Sequence, residues 1–327
     1  MMKNIKFGTF LPTGNFEEAR TAALQAEKDG FYSVSTNDHF FSPLGSHDSP
    51  QLECFTSLTA IAALTSSIRL VPSVVAASFR SPALLAKITS TLDQVSNGRF
   101  ILGIGAGWFD QEYHAHGYPF PSTPERLEQL EETVQIVKAM WCDDTPTFKG
   151  KYFSIDKAFN HPRPVQRPHP PVMLGGSGAG LLKIAARHGD ILNMIPPTSN
   201  GKDFVNDPVA TVKFTKAVLA KKITQLKQFA DQANRNPENI ELSGFTLVAL
   251  SDKPADPSLE GIAKQLGFSD LVAAQNSPVT LMGTPEQVIE EFQSRIDATG
   301  MTYHIVLPMS PDSYNAFVSQ VMPRFMN

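Results

Sequence analysis

The stretch "FILGIGAGWFDQEY", residues 100–113, decides how the chain is read. An apolar run leads into glycines at every second position, Gly103, Gly105 and Gly107, and then into Trp108. Taken as a dinucleotide-binding turn, it would make the chain a doubly wound sheet. That turn requires GxGxxG, with the third glycine packing a helix against a strand. Counted from Gly103 the third position is Trp108, and counted from Gly105 it is Asp110, so both registers fail. No helix is expected directly behind the glycines either, because the next good N-cap is Thr123. What remains is a strand end at which side chains would obstruct something.

Working outward, short β-branched runs alternate with amphipathic segments. Strands are expected at 5–10, 32–36, 68–74, 99–105, 171–176, 190–195, 240–250 and 303–308. Helix signals fall between them. "NFEEARTAALQAEKDG" ends on Gly30, a residue suited to the C′ position. "SPALLAKITSTLDQVSNG" opens with Ser81 as N-cap and Pro82 at the first helical position. Thr-Pro starts recur at Thr123-Pro124 and at Thr284-Pro285, where Gln287 completes a capping box. Eight strands alternating with about eight helices imply parallel strands joined by crossovers. Count and length favour an α/β fold of one class, a single (β/α)₈ TIM barrel spanning 1–327 with insertions at its C-terminal face. The proline-rich segment 144–170 is read as an insertion, 196–208 as a second long loop, and 251–278 as a third irregular stretch.

Bulk properties narrow the function. Of 327 residues, 42% are hydrophobic and 18% charged, and the net charge is -4 with no basic block. A nucleic-acid partner held through phosphates is therefore not expected. No apolar stretch approaches the roughly 20 residues that span a bilayer. "MMKNIKFGTF" lacks the pattern of a signal peptide, so a cytoplasmic location is expected. The two cysteines, Cys54 and Cys142, have no metal-ligand spacing and read as ordinary thiols.

Three motifs carry chemistry. "STNDHFF" places Asp38 and His39 just past the second strand, on the face where barrel enzymes collect catalytic groups. A histidine there exchanges a proton near neutral pH, and the adjacent carboxylate can tune it. "MLGGSGAG" runs a strand into Gly175, Gly176, Ser177 and Gly178 and then into a helix. Bare N–H groups, a hydroxyl and a helix N-terminus suit a phosphate, while the missing lysine argues against a Walker-type site. "HAH", His114 and His116, lies beyond the fourth strand and reads as a loop rather than a metal site. A serine nucleophile elbow at Ser177 fails on its final spacing.

Together, "NDHF", "VPSVV", "LGIGAGW…EY…G", "ERLEQLEE", "FKGKYF", "PRPVQRPHPPVMLGGSG" and "KIAARHGDILN" resemble the bacterial luciferase-like monooxygenase superfamily, and within it the branch that uses the deazaflavin coenzyme F420. The resemblance implies a barrel with the flavin or deazaflavin at its C-terminal face. It implies that Asp38 and His39 are the Asp-His pair, with His39 the proton donor or acceptor. It places a non-proline cis peptide at Ser73-Val74, the coenzyme phosphate at Gly175–Gly178, and contacts to ring and tail at Ala106, Gly107, Gln111 and Glu112. Trp108 stands where the sugar-phosphate dehydrogenases of this branch carry an acidic residue, which implies a flat apolar wall and a less charged substrate. The implied activity is hydride transfer between F420 and a small organic substrate. The alternatives are an FMN-dependent monooxygenase fed by a separate reductase and a flavin-binding barrel without turnover. A homodimer is the family expectation.

Overall fold

The computed structural model describes residues 5–43, 46–197 and 207–326. Residues 44–45, and 198–206 within the loop expected at 196–208, lie outside the described residues. In chain order the strands are β1 (Lys6–Phe10), β2 (Ser33–Thr36), β3 (Arg69–Pro72), β4 (Val75–Ala76), β5 (Leu102–Gly105), β6 (Phe148–Lys149), β7 (Ser154–Ile155), β8 (Val172–Gly175), β9 (Ile191–Met194), β10 (Glu241–Leu250), β11 (Thr280–Gly283) and β12 (Tyr303–Pro308). Each of the eight strands expected from the sequence forms. Among the described residues, no helix is long and apolar enough to cross a membrane. Both cysteines are free thiols, Cys54 buried and Cys142 exposed.

The chain divides into two compact units. One comprises Leu11–Gly175 and Arg187–Ile191. In it β2 pairs in parallel with β3, and β5 pairs in parallel with both β4 and β8. Val71, Leu102, Ile104 and Leu174 on these strands are fully buried. The flanking helices start and stop where local chemistry says they should. Asn15 caps Phe16–Lys28 by accepting from the N–H groups of Glu17 and Glu18, and Gly30 follows at φ 86°. Ser81 caps Pro82–Val95. Helix Thr123–Cys142 is capped one residue earlier than expected, by Ser122, whose partner in the capping box is Glu125. The 144–170 insertion contains the antiparallel β6–β7 hairpin. Its turn is held by Glu132, which accepts from the N–H groups of Lys151, Tyr152 and Phe153.

Two further ties in this unit are polar. The Arg99 guanidinium donates to the carbonyls of Ala62, Ile68 and Ser96, each at 2.7 Å, which satisfies the end of helix Cys54–Leu64. Glu27 accepts from the N–H groups of Ser66, Ser67 and Ile68 at 2.6–3.0 Å.

The second unit comprises Met1–Phe10, Gly176–Ala186 and Leu192–Asn327. Its ladder runs β1–β12–β10–β11, all parallel, with Lys6 and Ser243 both opposite Tyr303 and Thr280 opposite Leu247. Phe7, Phe292, His304 and Phe317 form an aromatic core, with Phe7 edge-on to Phe317 at 5.3 Å. Burial pushes His304 down to about 3, so this ring is neutral at ordinary pH. Segment 251–278, expected to be irregular, holds helices Pro257–Gln265 and Leu271–Gln275, each capped by an aspartate, Asp256 and Asp270. Leu259, Ala263, Phe268, Leu271 and Ala274 share a core with Met282 of β11. Such short helices leave no extended periodicity, and β11 is only four fully buried residues, "TLMG".

A helix, Asp110–Ala115, starts directly behind the glycines of residues 103–107, contrary to expectation. Its Tyr113 is the reason for Gly107. That glycine has φ 78°, and a β-carbon there would lie 1.9 Å from the Tyr113 hydroxyl. The hydroxyl is bonded to Ser78 at 2.7 Å, and burial raises its pKa to about 12.

Gly107→Ala is therefore expected to lower stability by about 2–4 kcal/mol in chemical denaturation, since it combines overpacking with a left-handed backbone. Adding Tyr113→Phe should recover part of that loss. A second expectation concerns acid. Burial alone would raise Glu27, but the three N–H groups and the Ser67 hydroxyl prevail and lower it from 4.5 to about 2. Its contribution is complete above pH 4.5 and lost as pH falls towards 2. Glu27→Gln should cost about 1 kcal/mol at pH 7 and flatten the stability curve within that window.

Candidate active site

Strand β2 ends at Thr36, and the turn after it is pinned by two buried carboxylates. The first is its own Asp38, which is 5% exposed. Its oxygens accept from both terminal nitrogens of Arg80, at 2.8 and 2.9 Å, and from the N–H of Ala76 at 3.2 Å. Arg80 also donates to Glu53 at 2.8 Å and lies over the ring of Phe55. Burial would lower the Arg80 pKa, but Asp38 and Glu53 outweigh it and hold the guanidinium charged. Asp38 thus ties the turn to Arg80 and to the backbone at Ala76. Arg80 takes its carboxylate in a bidentate grip, and the hydrogen bond to the neighbouring histidine comes from elsewhere.

The carboxylate on His39 belongs to Glu112. His39 Nδ1 lies 2.9 Å from Glu112 Oε2, and the N–H of Phe40 donates to Oε1. Glu112 is 1% exposed and sits on helix Asp110–Ala115. The family resemblance implies Glu112 as a contact to ring and tail. The structure shows it bonded to a residue 73 positions away. Among the described residues, His39 Nε2 has no hydrogen-bond partner.

An aromatic wall borders this histidine. Trp108 stacks on Phe109 with centroids 4.9 Å apart, and His39 stands edge-on to both, at 5.6 and 6.1 Å. Phe41 and His47 extend the wall from Phe109. Phe40 is stacked on His116 at 4.2 Å, and His116 Nδ1 lies 2.9 Å from the Glu112 carbonyl. His114 lies edge-on to Phe120. These aromatic partners escaped the sequence reading, since they come from three loops with no shared period.

The Ser73-Val74 peptide is cis, as the resemblance implied. Val74 fills the space that two glycines leave. A β-carbon at Gly105 would lie 3.0 Å from its Cγ2, and one at Gly175 would lie 2.8 Å from its Cγ1. Ala106 is half-buried, and Gln111 is exposed on the outer side of its short helix.

In the other unit, two donors expected for a phosphate are spent inside the protein. Gly176 N–H donates to the Asn193 carbonyl at 2.9 Å, and the buried Ser177 hydroxyl donates to the Ile195 carbonyl at 2.6 Å. Space remains at Gly178, where a β-carbon would meet nothing within 4 Å, just ahead of helix Ala179–His188.

Known proteins match this chain closely enough to place it. A family profile described as "Luciferase-like monooxygenase" matches residues 5–206. The FMNH(2)-dependent dimethylsulfone monooxygenase of Pseudomonas putida is 28% identical over 294 residues, covering 83% of this chain and 77% of that protein. An F420-dependent glucose-6-phosphate dehydrogenase of Kineococcus radiotolerans is 37% identical over 169 residues, covering 51% of this chain and 49% of its own. The solved structure of an F420-dependent secondary alcohol dehydrogenase in complex with an F420-acetone adduct superposes with a TM-score of 0.80 at 22% identity, covering 99% of this chain and 100% of that one. That likeness gives the fold as the expected barrel, a mostly parallel sheet nearly closed and surrounded by helices. With its profile match extending over more than half its length, the chain belongs to the luciferase-like monooxygenase family, whose members here are oxidoreductases using F420 or FMN.

Proposed function

We propose that the protein is an F420-dependent oxidoreductase that moves hydride between the deazaflavin and a small, weakly charged organic substrate, with His39 as proton donor or acceptor. The observation that carries this reading is the His39–Glu112 pair beside the Trp108–Phe109 wall. A histidine buried on one side by a carboxylate, with its second nitrogen unengaged, suits proton exchange with a substrate oxygen.

In the unit that holds His39, Trp108 and Phe109 offer a flat apolar face that suits a planar redox group. In the other unit, taken by itself, the open backbone at Gly178 precedes a helix N-terminus that favours an anion. When bound, the deazaflavin supplies a ring carbon that gives or takes hydride. The chain's own part is to orient and to exclude water. Arg80 and Asp38 hold the turn that carries His39, and the aromatic rings keep its surroundings apolar. Trp108 brings no charge to the wall, which supports a substrate less charged than a sugar phosphate. The identity to the F420-dependent relative is the higher of the two, 37% against 28%.

A second reading, an FMN-dependent monooxygenase supplied with reduced flavin by a separate reductase, draws on the longer match to the Pseudomonas putida enzyme, 83% of this chain. Titrating the protein with F420 and with FMN, oxidised and reduced, separates the two. Binding of F420 with little affinity for FMN is expected, and tight FMN binding without F420 binding would sink the first reading. In a screen of uncharged alcohols and ketones followed by F420 absorbance, His39→Ala should bind the coenzyme within about threefold of wild type. It should lose about 10²- to 10⁴-fold in kcat. Unchanged turnover would remove His39 from the mechanism.

A further inference from the structure

The geometry points to Glu112 as the positioning residue that fixes the tautomer of His39, so that Nδ1 always carries a proton and Nε2 is the nitrogen that exchanges one. The consequence for turnover rests on the role proposed for His39, whereas the tautomer is a property of the protein alone.

A carboxylate offers only acceptors, and a backbone N–H only donates. Glu112 faces one of each kind of question. Its Oε1 receives the Phe40 N–H, which leaves no choice about the atom required there. Its Oε2 is 2.9 Å from His39 Nδ1, which must then be the donor. The two contacts lie on consecutive residues, so the carboxylate plane is fixed by backbone as well as by ring. Helix Asp110–Ala115 holds the carboxylate from behind, with the Glu112 carbonyl accepting from the His116 N–H at 3.1 Å and its Nδ1 at 2.9 Å. Asp38, the only other acid next to this histidine in sequence, is taken by Arg80. With Nδ1–H committed, the neutral ring presents a lone pair at Nε2 and the charged ring presents a proton there. A carboxylate behind a working histidine sets both its orientation and its tautomer.

A glutamine at 112 makes a sharp counter-test. The Phe40 N–H still demands an oxygen, so the amide oxygen takes it and the NH₂ group faces His39 Nδ1. Nδ1 must then accept, and the proton moves to Nε2. The experiment is ¹⁵N–¹H correlation spectroscopy of histidine-labelled protein without any coenzyme, followed in pH until the ring is neutral, with His39→Gln assigning the signals. Wild type should show a protonated Nδ1 and an unprotonated Nε2, and Glu112→Gln should show the reverse. An unprotonated Nδ1 in wild type, as a protonated Glu112 would produce, overturns the proposal. So does an unchanged tautomer in the variant. If the variant does not fold, the wild-type spectrum decides alone. In turnover, Glu112→Gln should lose about 100-fold in kcat with coenzyme affinity held within about threefold. If the spectra are as expected but His39→Ala turns over like wild type, the tautomer assignment stands and the proposed function falls.

Discussion

A buried carboxylate must find partners or lose its charge, and two such groups shape the turn after β2. Asp38 reaches Arg80 and the backbone of Ala76, while Glu112 reaches His39 and the backbone of Phe40. Residues 38–40 are thus held from two sides by segments 38 and 72 positions away in sequence. In the folded protein the turn is bonded to β4, to the Arg80 segment and to helix Asp110–Ala115 together. Losing one partner would strand the other charge in the interior, which costs more than the pair contributes.

This arrangement divides the labour of two adjacent residues. Asp38 ties the turn to Arg80 and Ala76, while His39 Nε2 has no hydrogen-bond partner among the described residues. The glycines of residues 103–107 also divide their work. Gly103 lets the Pro72 carbonyl approach, Gly105 makes way for Val74, and Gly107 for the Tyr113 hydroxyl. They build the surface on which Trp108 and Phe109 stand. The family accommodates two cofactors on one barrel, as the relatives of this chain show. Such a surface is a scaffold for more than one chemistry.

Much of the fold was legible because its signals are local. β-branched runs mark the strands, and Asn15, Ser81 and Thr284 mark helix starts by side-chain bonds made within three residues. Signals without period or length were lost. Helix Asp110–Ala115 has no side-chain cap, and β11 has four residues. At the site, His39 could be singled out from its place at a strand end. Its hydrogen-bonded carboxylate could not, because no spacing rule joins residues 39 and 112, while the adjacent Asp38 was the nearer candidate and bonds to Arg80. The glycines declared that bare backbone was needed, but not for what. Gly176 and Ser177 looked like open donors, and only the tertiary fold shows them bonded to Asn193 and Ile195.

Val74 wedged between Gly105 and Gly175 bears on how such a chain can evolve. The two γ-methyls of one side chain each occupy the place of a neighbour's missing β-carbon. While the valine stands, a β-carbon at Gly175 would force it to shift and one at Gly105 would press tightly against it. A smaller residue at position 74 would relieve the crowding at both 105 and 175. One residue between β3 and β4 thus constrains one on β5 and one on β8, and the three positions are coupled through a single side chain.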